Sequence, residues 1–556
     1  MMSSTRQIEA TAIVLAAGQG TRMKSSRPKV LHEILGRPMI AYLLDTLLEL
    51  GITDIVAVVG YQAEKVKEVL KDYPVRCAVQ DPQRGTGHAV QVGMSLVPPE
   101  AVDVLVLCGD VPLIPGPGIA ELYQAHKKAK AAVTIQTTVL PEGLHYGRVV
   151  RNQDGTVAAV VQSRDASPEI LSIREINTGT YFFDPAFLKE TLPLLKPNNV
   201  QKELYLTDLV EFAVKRNRPV AAVIEESWEA VLGINSRKEL AEATQILKRL
   251  INDSHMAAGV TLIDPENTFI GPLVAIGRDT VIYPNVFLEG RTSIGENCVI
   301  EANVKIADSV LADGVLVKMG SYIEESRIGP RVQIGPMAHL RPLSDLREGV
   351  KIGNFVEVKK SILHAGAKAN HLTYLGDAEI GPKVNVGAGT ITCNYDGVKK
   401  HRTVIEAGAF IGSNTALVAP VTIGAGAYVG AGSTITEDVP PGKLGIARCR
   451  QMIKDRKSQG EKQARSGSEP LSDKNLPGLL ENLGLTCSHT ETFECLEQLS
   501  SQGVKTVEFL LEVATPENID VIRGMIRMEG KEPCNCEVVA NLASLAASQK
   551  YSRDPS

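Results

Sequence analysis

Two different patterns of apolar residues divide the chain. From Ile8 to about Arg237, short apolar runs such as IVLAAG and DIVAVVG alternate with amphipathic stretches such as MIAYLLDTLLELG. Strands and helices that alternate in this way predict an α/β domain over residues 8–236, a Rossmann-like mixed, largely parallel sheet with helices on both faces. Because ligands bind such sheets at the carboxyl ends of the strands, we expect a site there.

Beyond about Asp264 the apolar residues recur every six positions. The series is Ile270, Ile276, Ile282, Leu288, Ile294, Ile300 and Ile306, and it resumes at Ile411, Leu417, Ile423, Val429 and Ile435. A period of six predicts a three-sided parallel β-helix over residues 259–445, with each aliphatic residue pointing to the axis. Roughly ten coils would make it about 48 Å long at roughly 4.8 Å per coil. The interruptions at 312–350 and 392–404 predict projecting loops that carry binding groups.

Helical patterns occupy two further parts of the chain. Ser236 with Glu239 forms a capping-box pattern at the start of a predicted linker arm, residues 237–258. After Leu444 a basic polar stretch predicts a linker over 446–470. Residues 471–550 have apolar faces that predict a helical extension, either a self-contained bundle or a docking element for an unknown partner.

Composition argues against several classes of protein. The net charge of the 556 residues is -5, which provides no overall attraction to nucleic acid or an anionic membrane. The 9 cysteines are scattered without a C-x-x-C pair, which argues against a disulfide framework. Apolar runs stay short of the roughly 18 residues of a membrane span. We therefore expect a cytoplasmic protein without membrane insertion.

The first predicted strand leads into a loop of small residues, and two cations follow it. Small residues let backbone N–H groups approach phosphate oxygens, and the cations offset phosphate charge. The run L-A-A-G-x-G-T-R-M followed by P-K resembles the signature of the sugar-phosphate nucleotidyltransferases, whereas the G-x-G-x-x-G spacing of a dinucleotide loop is absent. The residues are Leu15, Ala16, Ala17, Gly18, Arg22 and Lys29.

This resemblance implies further residues of a nucleotide site. Gln80 with Gly85 and Thr86 would bind the uracil edge, and Asp110 with Asn235 would hold Mg²⁺, a hard cation that prefers oxygen ligands. The reaction, in-line attack of a sugar-1-phosphate on a nucleoside triphosphate, needs positioning and charge neutralisation, with no protein nucleophile. The remaining implied contacts are Cys108, Gly109, Gly147, Gln162 and Asn177. Gln162 stands where the family usually has Glu, and Cys108 stands where it often has Tyr.

The densest motifs lie in the repeat region. They are GNFVEVKK, HLTYLGD and NVGAGTITCNYDG, which begin at Gly353, His371 and Asn385. With the front motifs, they make residues 8–450 resemble the bacterial bifunctional N-acetylglucosamine-1-phosphate uridylyltransferases/glucosamine-1-phosphate acetyltransferases. The resemblance implies a left-handed β-helix, a homotrimer whose adjacent chains complete each acetyltransferase site, and the substrates glucosamine-1-phosphate, acetyl-CoA and UTP.

The same resemblance assigns roles within these motifs. His371 would be the general base of acetyl transfer, a role that suits an imidazole because it exchanges a proton near neutral pH. The implied contacts to glucosamine-1-phosphate are Arg341, Lys359, Tyr374 and Asn385. The implied contacts to acetyl-CoA are Ala388, Asn394, Tyr395, Ser413, Ala431 and Arg448.

Two alternatives stay open at this point. The chain could be a sugar-1-phosphate nucleotidyltransferase of other specificity with a regulatory β-helix, although His371 and its surrounding loops argue against that. It could instead be a non-catalytic trimeric scaffold whose tail recruits partners. A scaffold predicts that no acetyl is transferred.

Overall fold

The computed structural model describes residues 8–141 and 146–453. The predicted helical extension over 471–550, and the linker from residue 454 onwards, lie outside the described residues. Residues up to Cys449 belong to one compact unit, which contains both the α/β sheet and the β-helix.

The front half of this unit is an α/β domain. In the part described, its strands are β1 Thr11–Ala16, β2 Glu33–Ile34, β3 Arg37–Pro38, β4 Ile55–Val59, β5 Val75–Val79, β6 Val104–Cys108, β7 Val133–Val139, β8 Arg148–Arg151, β9 Val157–Val161, β10 Glu175–Phe183 and β11 Val220–Ile224. Its helices are α1 Met39–Glu49, α2 Ala63–Leu70, α3 Thr86–Met94, α4 Gly116–Ala129, α5 Pro168–Leu171, α6 Pro185–Thr191 and α7 Asp208–Lys215, and α8 Arg237–Ala257 follows.

The main sheet of this domain is mixed, as predicted. Its strand order is β11-β7-β10-β6-β1-β4-β5, with β8 paired to β10 and β9 paired to β8. Strand β10 runs antiparallel to β6 and β7, whereas β1 is parallel to both β4 and β6. The central strands are buried because helices cover both faces, which explains their continuous apolar runs. The carboxyl ends of β1 and β6 therefore lie side by side at one edge.

Helix α8 joins the α/β domain to the first coil of the β-helix. The Ser236 hydroxyl accepts a hydrogen bond from the Glu239 N–H at 3.3 Å, which caps the helix. The Glu239 carboxylate in turn accepts the N–H of Asn235 at 2.7 Å. Near its other end, the buried Asn252 amide donates to the carbonyl oxygens of Pro265 and Thr268 at 2.9 and 3.1 Å. Both ends of α8 are thus fixed by polar contacts.

The repeat region is a three-sided prism of parallel strands. Its first face contains Thr261–Leu262, Val281–Ile282, Val299–Ile300, Leu316–Val317, Gln333–Ile334, Lys351–Asn354, Lys368–His371, Asn385–Val386, Phe410–Ile411, Tyr428–Val429 and Leu444–Gly445. Its second face contains Phe269–Ile270, Phe287–Glu289, Lys305–Ala307, Tyr322–Glu324, His339–Leu340, Glu357–Lys359, Tyr374–Gly376, Ile391–Cys393, Ala416–Val418 and Thr434–Ile435. Its third face contains Ala275–Ile276, Ser293–Ile294, Val310–Leu311, Arg327–Ile328, Asp345–Leu346, Ile362–Leu363, Ala378–Ile380, Thr403–Ile405 and Val421–Ile423.

The predicted axis residues are confirmed. Eleven of the twelve aliphatic residues of the six-residue series are buried, at 5 % exposure or less, and Ile276 is partly buried. They stack in one continuous apolar core along the prism. A thin core of this kind needs few aromatic residues, which agrees with the 4 % aromatic content of the chain.

One of the two predicted interruptions is wrong. Residues 312–350 continue the prism without a loop. The inward-pointing residues from Leu311 onwards are Leu311, Val317, Ile323, Ile328, Ile334, Leu340 and Leu346, each at 2 % exposure or less. The six-residue phase is lost because Ile306 to Leu311 and Ile323 to Ile328 are five-residue repeats. The second interruption is confirmed: residues 394–402 form a loop between the second and third faces.

Candidate active sites

A pocket opens at the edge of the front sheet where β1, β5 and β6 end. Two adjoining cavities share Leu15, Thr86, Cys108 and Asp110 in their walls. Together they bring most of the predicted residues to one place, namely Leu15, Ala16, Ala17, Gly18, Lys29, Gln80, Gly85, Thr86, Cys108, Asp110, Gly147, Gln162, Asn177 and Asn235. Gly109 lies behind the wall, where its N–H donates to the Leu15 carbonyl at 2.9 Å.

Arg22 is the other predicted residue that these walls do not include. It is exposed on the short helical turn Thr21–Met23, which follows the small-residue loop. Its positive charge nevertheless acts on the Tyr146 hydroxyl, which lines the pocket. Arg22 is therefore close enough to act electrostatically on a residue of the pocket wall.

Three polar side chains from distant parts of the chain meet at the floor of the pocket. The Lys29 ammonium forms an ion pair with the Asp110 carboxylate and donates to the Asn235 side-chain oxygen at 2.6 Å. The Lys29 side chain is only 11 % exposed, so little water screens the pair. Asp110 and Asn235 thus direct their oxygens to one point that already holds a positive charge.

These oxygens suit a hard cation. Among residues 8–141 and 146–453, no group of three or more His, Cys, Asp or Glu side chains could enclose a metal ion. One carboxylate and one amide oxygen form an open ligand set, which fits Mg²⁺ because that ion keeps several water or phosphate ligands. The residues present therefore fit a metal that is shared with a phosphorylated substrate.

The predicted base loop is held in place by a segment that the sequence did not single out. Leu204 accepts the Gly87 N–H and donates its own N–H to Arg84, both at 2.8 Å, and the Leu206 N–H donates to the Thr86 hydroxyl at 3.1 Å. Gly85 has φ of 103°, and a Cβ atom there would lie 2.7 Å from the Leu204 carbonyl oxygen. Glycine is required at this position because the two backbones lie in contact.

Gln83 is a second residue that the sequence analysis missed. Its side-chain amide donates to the Ala17 carbonyl at 2.5 Å and joins the base loop to the small-residue loop. The available signal was its position between Gln80 and Gly85. The Gln80 amide, in turn, donates to the Gly85 carbonyl at 3.0 Å, so the base loop is internally ordered.

The other side of the pocket has neutral polar groups. The Asn177 amide donates a hydrogen bond to the Tyr181 hydroxyl at 2.6 Å, and the Gln162 amide donates one to the Thr207 hydroxyl at 3.4 Å. Thr207, just before α7, was not predicted. Burial raises the pKa of the Cys108 thiol to about 12, and the Asp110 charge acts in the same direction. Cys108 therefore stays a neutral thiol and is not a nucleophile.

The prism carries the second group of predicted residues. His371 ends a strand of the first face, and its register partner in the preceding coil is Asn354. The two side chains meet with His371 Nδ1 2.7 Å from Asn354 Oδ1. Since an amide oxygen only accepts hydrogen bonds, Nδ1 is the donor, and in the neutral ring the lone pair is then on Nε2. His371 is exposed, so Nε2 is open to a substrate.

Cations gather on the adjoining second face. The Lys400 ammonium lowers the pKa of Lys359, and the Arg341 charge lowers it further. Arg341 itself forms an ion pair of 2.9 Å with Glu357, and this carboxylate, with a smaller contribution from Tyr374, raises the pKa of the guanidinium. Lys400 comes from the loop 394–402 and was missed, because its position depends on how that loop folds back on the prism. The cluster is suited to bind a phosphate.

Asn385 lies apart from these cations. It belongs to the first face, where its register partner is Lys368, three positions before His371. Asn394 and Tyr395 begin the loop 394–402: the Asn394 amide donates to Asp377 at 2.6 Å, and Tyr395 is 61 % exposed. The loop is thus anchored at its first residue and open at its second.

Four of the six predicted acetyl-CoA contacts lie along one edge of the prism, and Asn394 and Tyr395 lie in the loop 394–402. Asn414 donates its N–H to the Ala388 carbonyl at 2.7 Å, and Gly432 donates to the Ser413 carbonyl at 2.8 Å, so Ala388, Ser413 and Ala431 occupy equivalent corners of successive coils. The Arg448 guanidinium donates to the Ala431 carbonyl at 2.7 Å. The edge therefore has small side chains and ends at a cation.

These features define a class of protein, a sugar-nucleotide type nucleotidyltransferase joined to a hexapeptide-repeat acyltransferase. Comparison with family models supports both halves: residues 12–167 match the MobA-like NTP transferase domain, and residues 402–437 match six repeats of the bacterial transferase hexapeptide. Residues 264–369 match the GMPPB C-terminal domain.

Curated relatives narrow the class. The chain is 48% identical over 444 residues to the bifunctional protein GlmU of Trichlorobacter lovleyi, and the match covers 80% of this chain and 96% of the relative. It is 48% identical over 445 residues to GlmU of Heliobacterium modesticaldum, with 80% and 97% covered. It is 50% identical over 445 residues to GlmU of Syntrophotalea carbinolica, and that match covers 80% of this chain and 96% of the relative.

The chain belongs to the family of bifunctional GlmU proteins. It is accordingly an enzyme with two transferase activities, which acetylates glucosamine-1-phosphate and then uridylylates the product to UDP-N-acetylglucosamine. The regulatory and scaffold alternatives are therefore not retained. No helix in the part of the chain described is long and apolar enough to cross a membrane.

Proposed function

We propose that the front pocket is the uridylyltransferase site and that the prism site around His371 is the acetyltransferase site. On this proposal uridylyl transfer belongs to residues 8–236, acetyl transfer to residues 259–445, and residues 237–258 connect them. The observation that carries the proposal is the meeting of Lys29, Asp110 and Asn235 in a pocket lined by the small-residue loop and the base loop.

In the front pocket the protein positions two phosphorylated reactants. Gln80, Gly85 and Thr86 would hold the base, and Gly147, Gln162 and Asn177 would hold the sugar. Asp110 and Asn235 would hold Mg²⁺, which when bound offsets charge on the reacting phosphates. Lys29 would then turn from Asp110 to the triphosphate, and Arg22 would approach from its exposed turn. A phosphate oxygen of the sugar-1-phosphate attacks the α-phosphorus, and pyrophosphate leaves.

In the prism site His371 would act as the general base. Asn354 fixes its ring through Nδ1, and Nε2 takes a proton from the amino group of glucosamine-1-phosphate. The nitrogen lone pair attacks the thioester carbonyl carbon, so a C–N bond forms as the C–S bond breaks. The thiolate of coenzyme A leaves and is protonated, with the imidazolium as the proton source.

The substrate contacts of this site follow from the cation cluster and the edge. Arg341 and Lys359, joined by Lys400, would bind the sugar phosphate, with Tyr374 and Asn385 as further contacts. Ala388, Asn394, Tyr395, Ser413, Ala431 and Arg448 would bind acetyl-CoA. We further propose a homotrimer, because the exposed site on one chain would be completed by another, and we place the enzyme in the cytoplasm.

A two-signal assay tests the proposal. Purified protein receives glucosamine-1-phosphate, acetyl-CoA, UTP and Mg²⁺, and free thiol and pyrophosphate are followed separately. We expect thiol release without UTP, and pyrophosphate release from N-acetylglucosamine-1-phosphate and UTP without acetyl-CoA. A chelator should stop only pyrophosphate release. Thiol release that also requires Mg²⁺, or pyrophosphate release that does not, would contradict the assignment.

A further inference from the structure

One edge of the prism has a left-handed residue at each of nine successive corners. These corner residues, which join the first face to the second, are Asn285, Asn303, Gly320, Met337, Phe355, Leu372, Gly389, Asn414 and Gly432, with φ between 47° and 73°. Backbone hydrogen bonds connect neighbouring corners, for example from the Phe355 N–H to Met337 and from the Gly389 N–H to Leu372. Glycine and asparagine are the residues that tolerate this conformation best.

Three of the nine corners depart from that rule. Met337, Phe355 and Leu372 are large apolar side chains, and they are 45, 58 and 61 % exposed. Each combines an unfavourable backbone conformation with apolar surface in water, two costs that a glycine or asparagine would avoid. They form a ridge along the edge.

The ridge ends beside the catalytic histidine. Leu372 directly follows His371, and the next corner in the series is Gly389, whose N–H donates to the Leu372 carbonyl at 3.0 Å. From Gly389 onwards the side chains along the edge are small. Ala388, Ser413 and Ala431 each precede a corner residue that is glycine or asparagine. The edge therefore has a step in height at Leu372.

The low part of the edge has the shape and charge of a binding track for a long donor. It runs from Ala388 to Arg448 over three coils, about 14 Å at roughly 4.8 Å per coil. Its far end carries the Arg448 cation, which suits the phosphates of coenzyme A, and its near end lies beside His371. A donor in this track points its acyl group at the step.

We propose that Leu372 closes the acyl end of the donor track and restricts the enzyme to short acyl groups. This inference rests on the proposed acetyltransferase site. An acetyl group ends where the Leu372 side chain begins, whereas a propionyl or butyryl group meets that side chain. One additional methylene in an apolar site changes discrimination by about 10-fold to 200-fold, so a single leucine is sufficient for selectivity.

The test compares donors in Leu372→Gly. Glycine removes the side chain and favours the observed positive φ, so the variant should fold as well as the parent. We expect the ratio of kcat/KM for propionyl-CoA to that for acetyl-CoA to rise about 10-fold or more, and butyryl-CoA to gain at least as much. Thiol release with glucosamine-1-phosphate is the measurement.

Met337→Gly is the matched control, since Met337 has the same conformation and lies two corners further from His371 on the ridge. Its donor ratio should stay within about 2-fold of the parent's. An unchanged ratio in Leu372→Gly, or equal changes in both variants, would overturn the proposal. A fall in use of all donors with a change in oligomeric mass would also overturn it, and would make the ridge a contact between copies of the chain. If the parent released no thiol from acetyl-CoA, the proposed acetyltransferase site would itself fail.

Discussion

The two sites of this protein arrange their charges in opposite ways. In the front pocket the Lys29 cation is paired with Asp110 and mostly buried, so the site is internally neutralised. On the prism, Lys359 is half-buried and Lys400 is exposed, and the two ammonium groups repel each other, with Arg341 nearby. On the proposed roles of the two sites, the front pocket would share a metal with its substrate and therefore needs its own anion, whereas the prism site would bind only a phosphate and does not.

The sites also differ in how the chain builds them. Lys29, Asp110 and Asn235 are far apart in sequence and meet only at a sheet edge. Asn354 and His371 are 17 positions apart, about one coil, and stack because the prism repeats. We therefore expect that either site can be lost without disturbing the other.

The largest effect should follow Asp110→Asn. This variant tests whether the prism site stays active when the front site is lost. The amide preserves the shape and can still accept from Lys29, but it removes the charge that would hold the metal. We expect pyrophosphate release to fall about 10³-fold while thiol release changes less than about 2-fold. Loss of both activities in this variant would contradict the independence of the two sites.

His371→Ala tests the converse, namely whether the front site stays active when the prism site is lost. Loss of the general base should reduce thiol release by about 10²-fold to 10³-fold. Pyrophosphate release from N-acetylglucosamine-1-phosphate should be unaffected. Normal acetyl transfer in this variant would remove His371 from the mechanism.

Asn354→Leu should have a smaller effect, because the base remains but its ring is no longer held. We expect kcat for acetyl transfer to fall about 10-fold, with little change in KM for glucosamine-1-phosphate. A change in KM alone would mean that Asn354 contacts the substrate instead of positioning His371. The melting temperature serves as the control for folding.

Lys400→Met tests the cluster of Arg341, Lys359 and Lys400 through the pH dependence of phosphate binding. The Lys400 charge lowers the pKa of Lys359, so Lys359 loses its proton earlier as pH rises. In the variant that pKa should rise, and the alkaline loss of phosphate affinity should start at higher pH. At neutral pH the lost cation should weaken binding about 3-fold to 10-fold. Product inhibition of thiol release by N-acetylglucosamine-1-phosphate is the measurement, because this sugar lacks a titrating amine.

Gln162→Glu should give the smallest effect. A carboxylate accepts hydrogen bonds from sugar hydroxyls more strongly than an amide oxygen does. The Gln162 amide donates to the Thr207 hydroxyl, whereas a carboxylate would accept a hydrogen bond from that hydroxyl. We expect KM for N-acetylglucosamine-1-phosphate in pyrophosphate release to fall about 2-fold to 5-fold. A rise in KM would mean that the donor group of Gln162 is the one the sugar requires.

Short-range patterns determined much of this architecture. The six-residue period predicted the prism and its axis residues, since an inward position recurs with each side of a three-sided coil. The motif around His371 similarly placed its candidate base within that prism. The small-residue loop and Asp110 were predicted at strand ends because apolar runs stop there, and parallel strands end at one sheet edge.

The tertiary structure decided what depends on contacts between distant segments. Five-residue repeats hid the continuity of residues 312–350, because a corner can lose one residue without moving the strands that it joins. The position of Lys400 depended on the fold of the loop 394–402, and the clamp of Leu204 on the base loop joins segments more than a hundred residues apart. Sequence periodicity records which side of a strand faces inward, but only packing in three dimensions determines which side chains become neighbours.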